Sequence, residues 1–442
     1  MMQRLRELWR RLLTAGGTDT HQVFRNMLVL AAGSGAARLV GLLSVPIITR
    51  LYTPEQYGLF TLFLSATALI APLASLRYAA ALPLPRHRRT AAGLLLGCFG
   101  LLAVSLGLLT LLFALYADRL FALVSASALA PAWPLLVAAV GTAGLYEILT
   151  NWTLRRRTFR AMAQAEVSQS LIGGGLKIGL AMAALQNIGL VAGHLVAQLA
   201  AAGLLARVAW RDTRSAMRRA NRRMLMVVLA RYADFPKFRM PSQLLLIFSQ
   251  QAPVFFVGAL YGPATAGQLG LALVTLAVPL TLIAQTTGQA FYSEIAKLGP
   301  RQPEAIERIA RGVIKRQLVL GLVPTGLLMG GATWIFPLLF GPRWHDAGVF
   351  ASILSVYLLS QFVVYPLVHV LSVFDRNPLY LRLSAVRAAL IAGVFALAHG
   401  LNLPPFMAIG AYSVVVSGHY ALTSYNILAI IRSAVAEARS SR

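Results

Sequence analysis

The sequence predicts an all-α polytopic membrane protein with about 12 transmembrane helices arranged as two six-helix lobes. Composition is the first reason: 58% of the 442 residues are hydrophobic and only 12% are charged, where a soluble globular chain carries roughly a quarter charged residues. The second is pattern. The apolar residues fall in continuous Leu/Ala-rich runs of the roughly 20 residues that cross a bilayer core as helix, without the short alternating strands of a membrane barrel. The third is charge placement, since most of the 40 Lys and Arg, in a chain of net charge +26, sit between these runs rather than in them. A nucleic-acid-binding reading would need them gathered on one soluble face.

Twelve runs qualify, at 25–48, 57–82, 91–116, 132–152, 163–184, 188–208, 241–261, 266–291, 317–340, 348–373, 380–400 and 404–430. Their connections alternate in charge. One side holds 33 of the 40 basic residues, and the other holds Arg50, Arg119 and Arg343. By the positive-inside rule the basic side, with both termini, is cytoplasmic.

Taken in order, residues 1–24 form a basic amphipathic segment. Leu5, Leu8, Trp9, Leu12 and Leu13 share a helical face opposite four arginines, a pattern suited to an anionic membrane surface. Its apolar run is too long, and lacks the small-residue site, for a cleaved signal peptide. Residues 25–208 make the first six-helix lobe, 209–240 a basic cytoplasmic linker, 241–431 the second lobe and 432–442 a tail. An internal match supports this division. LYTPEQYGLF at 51–60 and LYGPATAGQL at 260–269 share Leu, Tyr, Pro and Gly at one offset, at the same place in each half. Parallel repeats of this kind put a binding site between lobes near the membrane midplane. Prolines interrupt several runs, and Pro72 and Pro279, at similar places in the two halves, are candidate hinges.

Four basic residues lie inside the runs: Arg38, Arg77, Lys177 and Arg387. A cation at the centre of a membrane helix costs roughly 2.5–3.5 kcal/mol on insertion scales, so one that persists usually faces a protein interior or a wet cavity. Arg38 is the most central, and Ser34, Arg38 and Gly41 fall on one small, polar face. Arg77, above the basic stretch PRHRR, and Arg387 are nearer an inner boundary, where snorkelling competes with a cavity role. Lys177 follows Gly173, Gly174 and Gly175, which suit either a loosened helix or close packing. All fourteen acidic residues lie in connections or near run ends; Glu147 and Glu166 flank the basic loop NWTLRRRTFRAMAQAE. A cavity with buried cations and no carboxylate prefers an anion, and phosphate suits the guanidinium fork.

Gln250, Gln251 and His419 are further candidates for a polar cavity lining, with helix-to-helix hydrogen bonding as the alternative. Histidine spacing offers no metal site, and the single Cys98 permits no intrachain disulfide. Trp133, Trp152, Trp210 and Trp334 lie near expected membrane interfaces.

The run GSGAARLVGLLSVPIITRLYTPEQYGLFTLFLS resembles the first hairpin of the bacterial polysaccharide-transporter family, which includes the Wzx-type O-antigen flippases. The stretch VFFVGALYGPATAGQLGLALVTLAVPLTLIAQTTGQAFYSEIAKL is similar to its seventh and eighth helices, and LRRRTFRAMA to its basic turn after the fourth. The resemblance implies the MATE-like fold of the MOP superfamily: two lobes working by alternating access around a central cavity, in the cell inner membrane. It also implies a substrate, an undecaprenyl-diphosphate-linked oligosaccharide, and partners among polysaccharide polymerases and assembly proteins, with no cofactor. Cationic residues of the first helix line the cavity in related flippases, and Arg38 stands at the matching place. The two extra helices typical of lipid II flippases have no counterpart here. A cation antiporter on the same fold is disfavoured by the missing carboxylates. A polymerase or ligase is disfavoured by the short outward connections, the longest being 117–132. A non-transporting scaffold, docked through the basic loops, is the remaining alternative.

Overall fold

The computed structural model describes residues 18–123, 127–217 and 222–440. The amphipathic face expected at residues 5–13 lies outside them. Every regular element among the described residues is a helix: α1 (Thr18–Leu51), α2 (Pro54–Ala74), α3 (Arg88–Leu123), α4 (Trp133–Arg155), α5 (Phe159–Met182), α6 (Gln186–Met217), α7 (Arg222–Arg231), α8 (Met240–Leu298), α9 (Pro303–Phe340), α10 (His345–Leu367), α11 (His369–Val373), α12 (Asn377–Gly400) and α13 (Pro405–Ser440), with short 3₁₀ and π turns between some of them.

Among the described residues, ten helices are long and apolar enough to cross a membrane. Two local features account for the difference from the twelve runs expected. The seventh and eighth runs are joined in α8, which bends at Gly262, where φ is +86°. The fifth run becomes α5, whose Arg160, Glu166 and Lys177 dilute its apolar character, although it packs along α1 and α6. The basic linker is also more ordered than its composition suggested: α7 lies on α3, with Met224 and Leu229 against Gly93 and Gly97 and Val228 buried.

The internal repeat explains how the halves meet. In the first half Thr53 caps α2: its hydroxyl accepts from the Gln56 amide at 3.3 Å, while the Gln56 side chain accepts from the Thr53 amide at 3.1 Å. This is a capping box, with Pro54 pre-set for the first helical position. In the second half the position of Thr53 is taken by Gly262, whose positive φ makes the corner before Pro263. The helices so started then press against each other. A Cβ placed on Gly58 would fall 1.7 Å from the Pro263 carbonyl oxygen, and one on Gly267 would fall 2.1 Å from the Pro54 carbonyl oxygen. The same residues of each repeat therefore contact their counterparts reciprocally, backbone to backbone.

Around this seam the core crosses from one half to the other. Tyr52, Tyr57 and Phe60 pack in one cluster with Phe336, Phe340 and Trp344. Trp344 is fully buried, donates from Nε1 to the Thr49 carbonyl at 2.8 Å and meets the Tyr57 ring edge-on at 5.4 Å. Gln268 donates to the Arg343 carbonyl at 2.7 Å and accepts from the Ala347 amide at 2.9 Å. All these contacts lie toward the arginine-poor end. At the arginine-rich end the cores are separate. One, with Tyr78, Leu94, Ile148 and Leu205, belongs to the first half; another, with Phe291, Ile306, Leu367 and Ile427, belongs to the second.

Pro72 does not interrupt the middle of a helix. It sits in the last turn of α2, which ends at Ala74, and Leu76 and Arg77 then adopt left-handed backbone angles. The expected run to residue 82 therefore overshot the helix. Pro279 falls within α8, with its side chain outside the described residues.

A β-branched side chain at position 58 cannot coexist with the Pro263 carbonyl. In Gly58→Val the seam should part, and a Thr61→Cys reporter should react several-fold faster with a membrane-impermeant maleimide from the arginine-poor side. Unchanged labelling would show that the seam does not close that end.

Candidate functional site

Arg38 is positioned by the packing of α1 on α5. A Cβ on Gly33 would overlap the Ala163 Cβ at 2.4 Å, and one on Gly174 would lie 3.3 Å from the Ser44 Cβ, so the two helices run side by side in the same direction. On the face that carries the guanidinium, a Cβ on Gly35 or Gly41 would meet no atom within 4 Å. Open space therefore borders α1 about one turn to either side of Arg38. Arg38 itself is half-buried, as is Ser34. Its Nη2 lies 3.4 Å from Oε1 of Gln285, across from α1 to the second arm of α8. The first and second halves thus meet through a cation and a neutral amide.

Gln285 was not among the expected site residues. It occupies the polar run QTTGQ close to the end of the expected eighth span, where a polar cluster reads as a boundary. The structure carries α8 on to Leu298, which places the run inside a long helix.

Lys177 is elsewhere. From the α1–α5 pairing it lies level with Ile47, nine residues beyond Arg38, or about 14 Å along the axis at 1.5 Å per residue. Its ammonium nitrogen stands 4.6 Å from the centroid of the Phe60 ring, its backbone carbonyl accepts from the Tyr52 hydroxyl at 2.7 Å, and its stem packs on Gly193. A cation on an aromatic face is already stabilised.

Arg77 lies beyond the end of α2 and is paired: its Nη1 is 2.7 Å from Oε1 of Glu147 on α4. Ser75 approaches the other carboxylate oxygen at 3.5 Å. Glu147 lies eight residues before the end of α4, two turns inside the helix, deeper than the loop-flanking place expected of it.

Arg387, on α12, has a different environment. Its Nη1 donates to the Tyr420 hydroxyl at 3.1 Å, while Nε and Nη2 are buried and have no hydrogen-bond partner among the described residues. Tyr357 lies nearby, its ring tilted against Tyr412 at 5.5 Å and Tyr420 at 6.1 Å between centroids. His419 is buried on the same helix as Tyr420, with Nε2 3.5 Å from the Thr423 hydroxyl. Of the two glutamines, Gln251 accepts from the buried Ser65 hydroxyl at 3.1 Å, an inter-half bond, and Gln250 is exposed. Among the described residues no three His, Cys, Asp or Glu side chains gather as metal ligands would.

The structure thus gathers two cationic centres with neutral polar neighbours, Arg38 with Gln285 and Arg387 with the tyrosines, and satisfies Arg77 and Lys177 separately. Arg387, with Nε and Nη2 buried and without a partner among the described residues, presents the forked donors that suit an anion.

The model of a family described as polysaccharide biosynthesis protein matches residues 47–349. The chain belongs to this family. Among curated proteins nothing matches. Solved structures do. An inward-facing multidrug resistance MATE family transporter of the MOP superfamily superposes with a TM-score of 0.58 at 15% identity, covering 93% of this chain and 95% of its own. A MATE protein in complex with MaD5 gives 0.55 at 15%, covering 94% and 98%. The eukaryotic MATE transporter AtDTX14 gives 0.52 at 16%, covering 94% and 99%. These likenesses establish the MATE-like fold over nearly the whole chain. This member of the polysaccharide-biosynthesis family is a multi-pass membrane protein with a transporter fold.

Arg77 and Glu147 are each about a quarter exposed at the side chain. Arg77→Ala should therefore cost roughly 1–2 kcal/mol, less than the 3–5 of a fully buried pair. The Arg77→Ala/Glu147→Gln double variant should recover at least half of the lost thermal stability in detergent, because the orphaned charge is gone. Equal destabilisation of both variants would mean that the pair carries no coupling.

Proposed function

We propose that this protein is a flippase that moves a polyprenyl-diphosphate-linked oligosaccharide, of the undecaprenyl type, from the cytoplasmic to the periplasmic leaflet for O-antigen, capsule or exopolysaccharide synthesis. The observation that carries the reading is Arg38: a half-buried guanidinium between the halves, beside open space, facing a neutral amide. A diphosphate needs such a site, and the polysaccharide-biosynthesis family supplies the class of cargo.

The arginine-rich end faces the cytoplasm, with both termini, in the cell inner membrane. With the halves joined at the arginine-poor end and holding separate cores at the other, a substrate enters from the cytoplasmic side. Arg38 takes the diphosphate, and Arg387, whose Nε and Nη2 have no partner among the described residues, offers a second cationic contact. The halves are two lobes that rock about the seam, with bends near Pro72 and Pro279, and the prenyl tail stays in lipid. Ser34, Gln250, Gln251 and His419 face the sugar. Lys177 and Arg77 serve the path only after leaving Phe60 and Glu147. A cation antiporter needs a free carboxylate deep in the membrane, whereas Glu147 is tied to Arg77 and Glu166 stands in the second turn of α5, near its arginine-rich end.

Arg38→Ala, at normal membrane levels, should abolish surface polysaccharide in a strain lacking the wild-type gene and cause lipid-linked oligosaccharide to accumulate. Arg38→Lys should restore part of it, since the ammonium keeps the charge without the fork. Normal surface polysaccharide in Arg38→Ala would refute the assignment.

A further inference from the structure

A large concave feature lies away from Arg38, at the arginine-rich end of the first half. It is a cavity of about 970 Å³ between the turn that precedes α3, the end of α4 and the start of the connection to α7. Two short basic stretches, far apart in sequence, converge on it. PRHRR brings Arg86, Arg88 and Arg89, and LRRR brings Arg155, Arg156 and Arg157. Asp212 is the single carboxylate in the lining, so the six guanidinium groups leave an excess of five positive charges.

The wall is built. Arg155 donates to the carbonyls of Pro83 and Pro85, which holds the turn against the end of α4. Arg156 approaches Asp212 at 3.4 Å, which ties α4 to α6. Arg157 has φ of +55°, turning the chain sharply where α4 ends. Trp152 is 4% exposed and lines the cavity, yet its indole Nε1 has no hydrogen-bond partner among the described residues. Ala92, Leu154 and Met224 give the lining an apolar side.

Orientation in the membrane requires basic residues in this region but does not require them to converge. The positive-inside effect counts charges in short loops, wherever on those loops they stand. Six arginines around one cavity, with one carboxylate among them, make a strongly positive concave surface that favours a bound anion. The volume lies at the upper end of the roughly 300–1,000 Å³ range of small-molecule sites, far more than one inorganic phosphate fills. Its mixed lining suits a group with charge at one end and carbon at the other.

We propose that this cavity is a second anion site, specific for an organic diphosphate, in which Arg86, Arg89 and Arg156 bind the phosphates and the apolar side formed by Ala92, Leu154 and Met224 meets the ester or glycosyl portion. Diphosphate is the shared chemistry of two sources, a lipid-borne head group at the membrane surface and a soluble diphosphate ester. None of the residues that line it belongs to the Arg38 site, and its occupancy can be measured without transport.

The test uses the full chain in phosphatidylcholine nanodiscs, titrated calorimetrically with inorganic pyrophosphate at low salt. The expected result is saturable binding of one pyrophosphate that weakens at least tenfold in Arg89→Gln/Arg156→Gln. Binding should persist in Arg38→Ala and be largely retained in Arg89→Lys/Arg156→Lys. Competition by undecaprenyl diphosphate incorporated in the disc would identify the lipid-borne source, and competition only by a soluble sugar diphosphate the other. Affinity unchanged in Arg89→Gln/Arg156→Gln, loss only in Arg38→Ala, no saturable binding, or displacement by phosphatidylglycerol alone would overturn the proposal. Arg89 and Arg156 are both exposed, so these substitutions leave the buried core untouched, and retained binding in the Lys variant separates lost charge from the lost Arg156–Asp212 contact.

Discussion

Two glycines set the geometry on which the rest of the molecule depends. With hydrogen in place of a side chain at Gly58 and Gly267, α2 and α8 approach until backbone touches backbone. That approach brings Tyr52, Tyr57 and Phe60 to the same depth as Trp344 and Phe336, and allows a single hydrophobic cluster to span both halves. Membrane helices gain little from the hydrophobic effect on associating in lipid, so close packing through small residues is what holds such a contact. Because the contact lies at one end, the halves are fastened there and keep independent cores at the other.

The cations divide according to what surrounds them. Arg77 faces a carboxylate and Lys177 an aromatic ring, and each is stabilised locally. Arg38 and Arg387 face amide and hydroxyl groups, which solvate a guanidinium without neutralising it. The structure thus separates cations paired with a carboxylate or an aromatic face from cations set among neutral polar groups. In the arginine cavity near α4, at the surface instead of the interior, Arg155 and Arg156 fasten the wall while Arg86 and Arg89 are exposed.

Most of the helical framework was legible because a membrane core demands long apolar runs, and only helices meet that demand with continuous Leu and Ala. The repeat was legible too, since LYTP and LYGP mark equivalent corners, although the sequence did not reveal that the repeats touch each other. What could not be read was anything set by tertiary contact. The bend of α8 depends on one positive φ at Gly262, the early end of α2 on left-handed angles at Leu76 and Arg77, and the order of α7 on glycines in α3. Of the candidate site, Arg38 was visible as an isolated charge in an apolar run. Its partner Gln285 was hidden in a polar cluster near a span end, and the pairing of Arg77 with Glu147 joins residues seventy positions apart.

The central claim is that the glycine seam must open for substrate to leave toward the arginine-poor side. A Cβ on Gly270 would lie 3.1 Å from the Thr61 Cβ, within reach of a disulfide after a small adjustment. The one native thiol, Cys98, is buried. The decisive measurement is transfer of a fluorescent polyprenyl-diphosphate oligosaccharide between leaflets of proteoliposomes containing Thr61→Cys/Gly270→Cys. Transfer should stop when the pair is oxidised and return to the wild-type rate on reduction. Transfer at the wild-type rate through the oxidised, cross-linked protein would contradict the account.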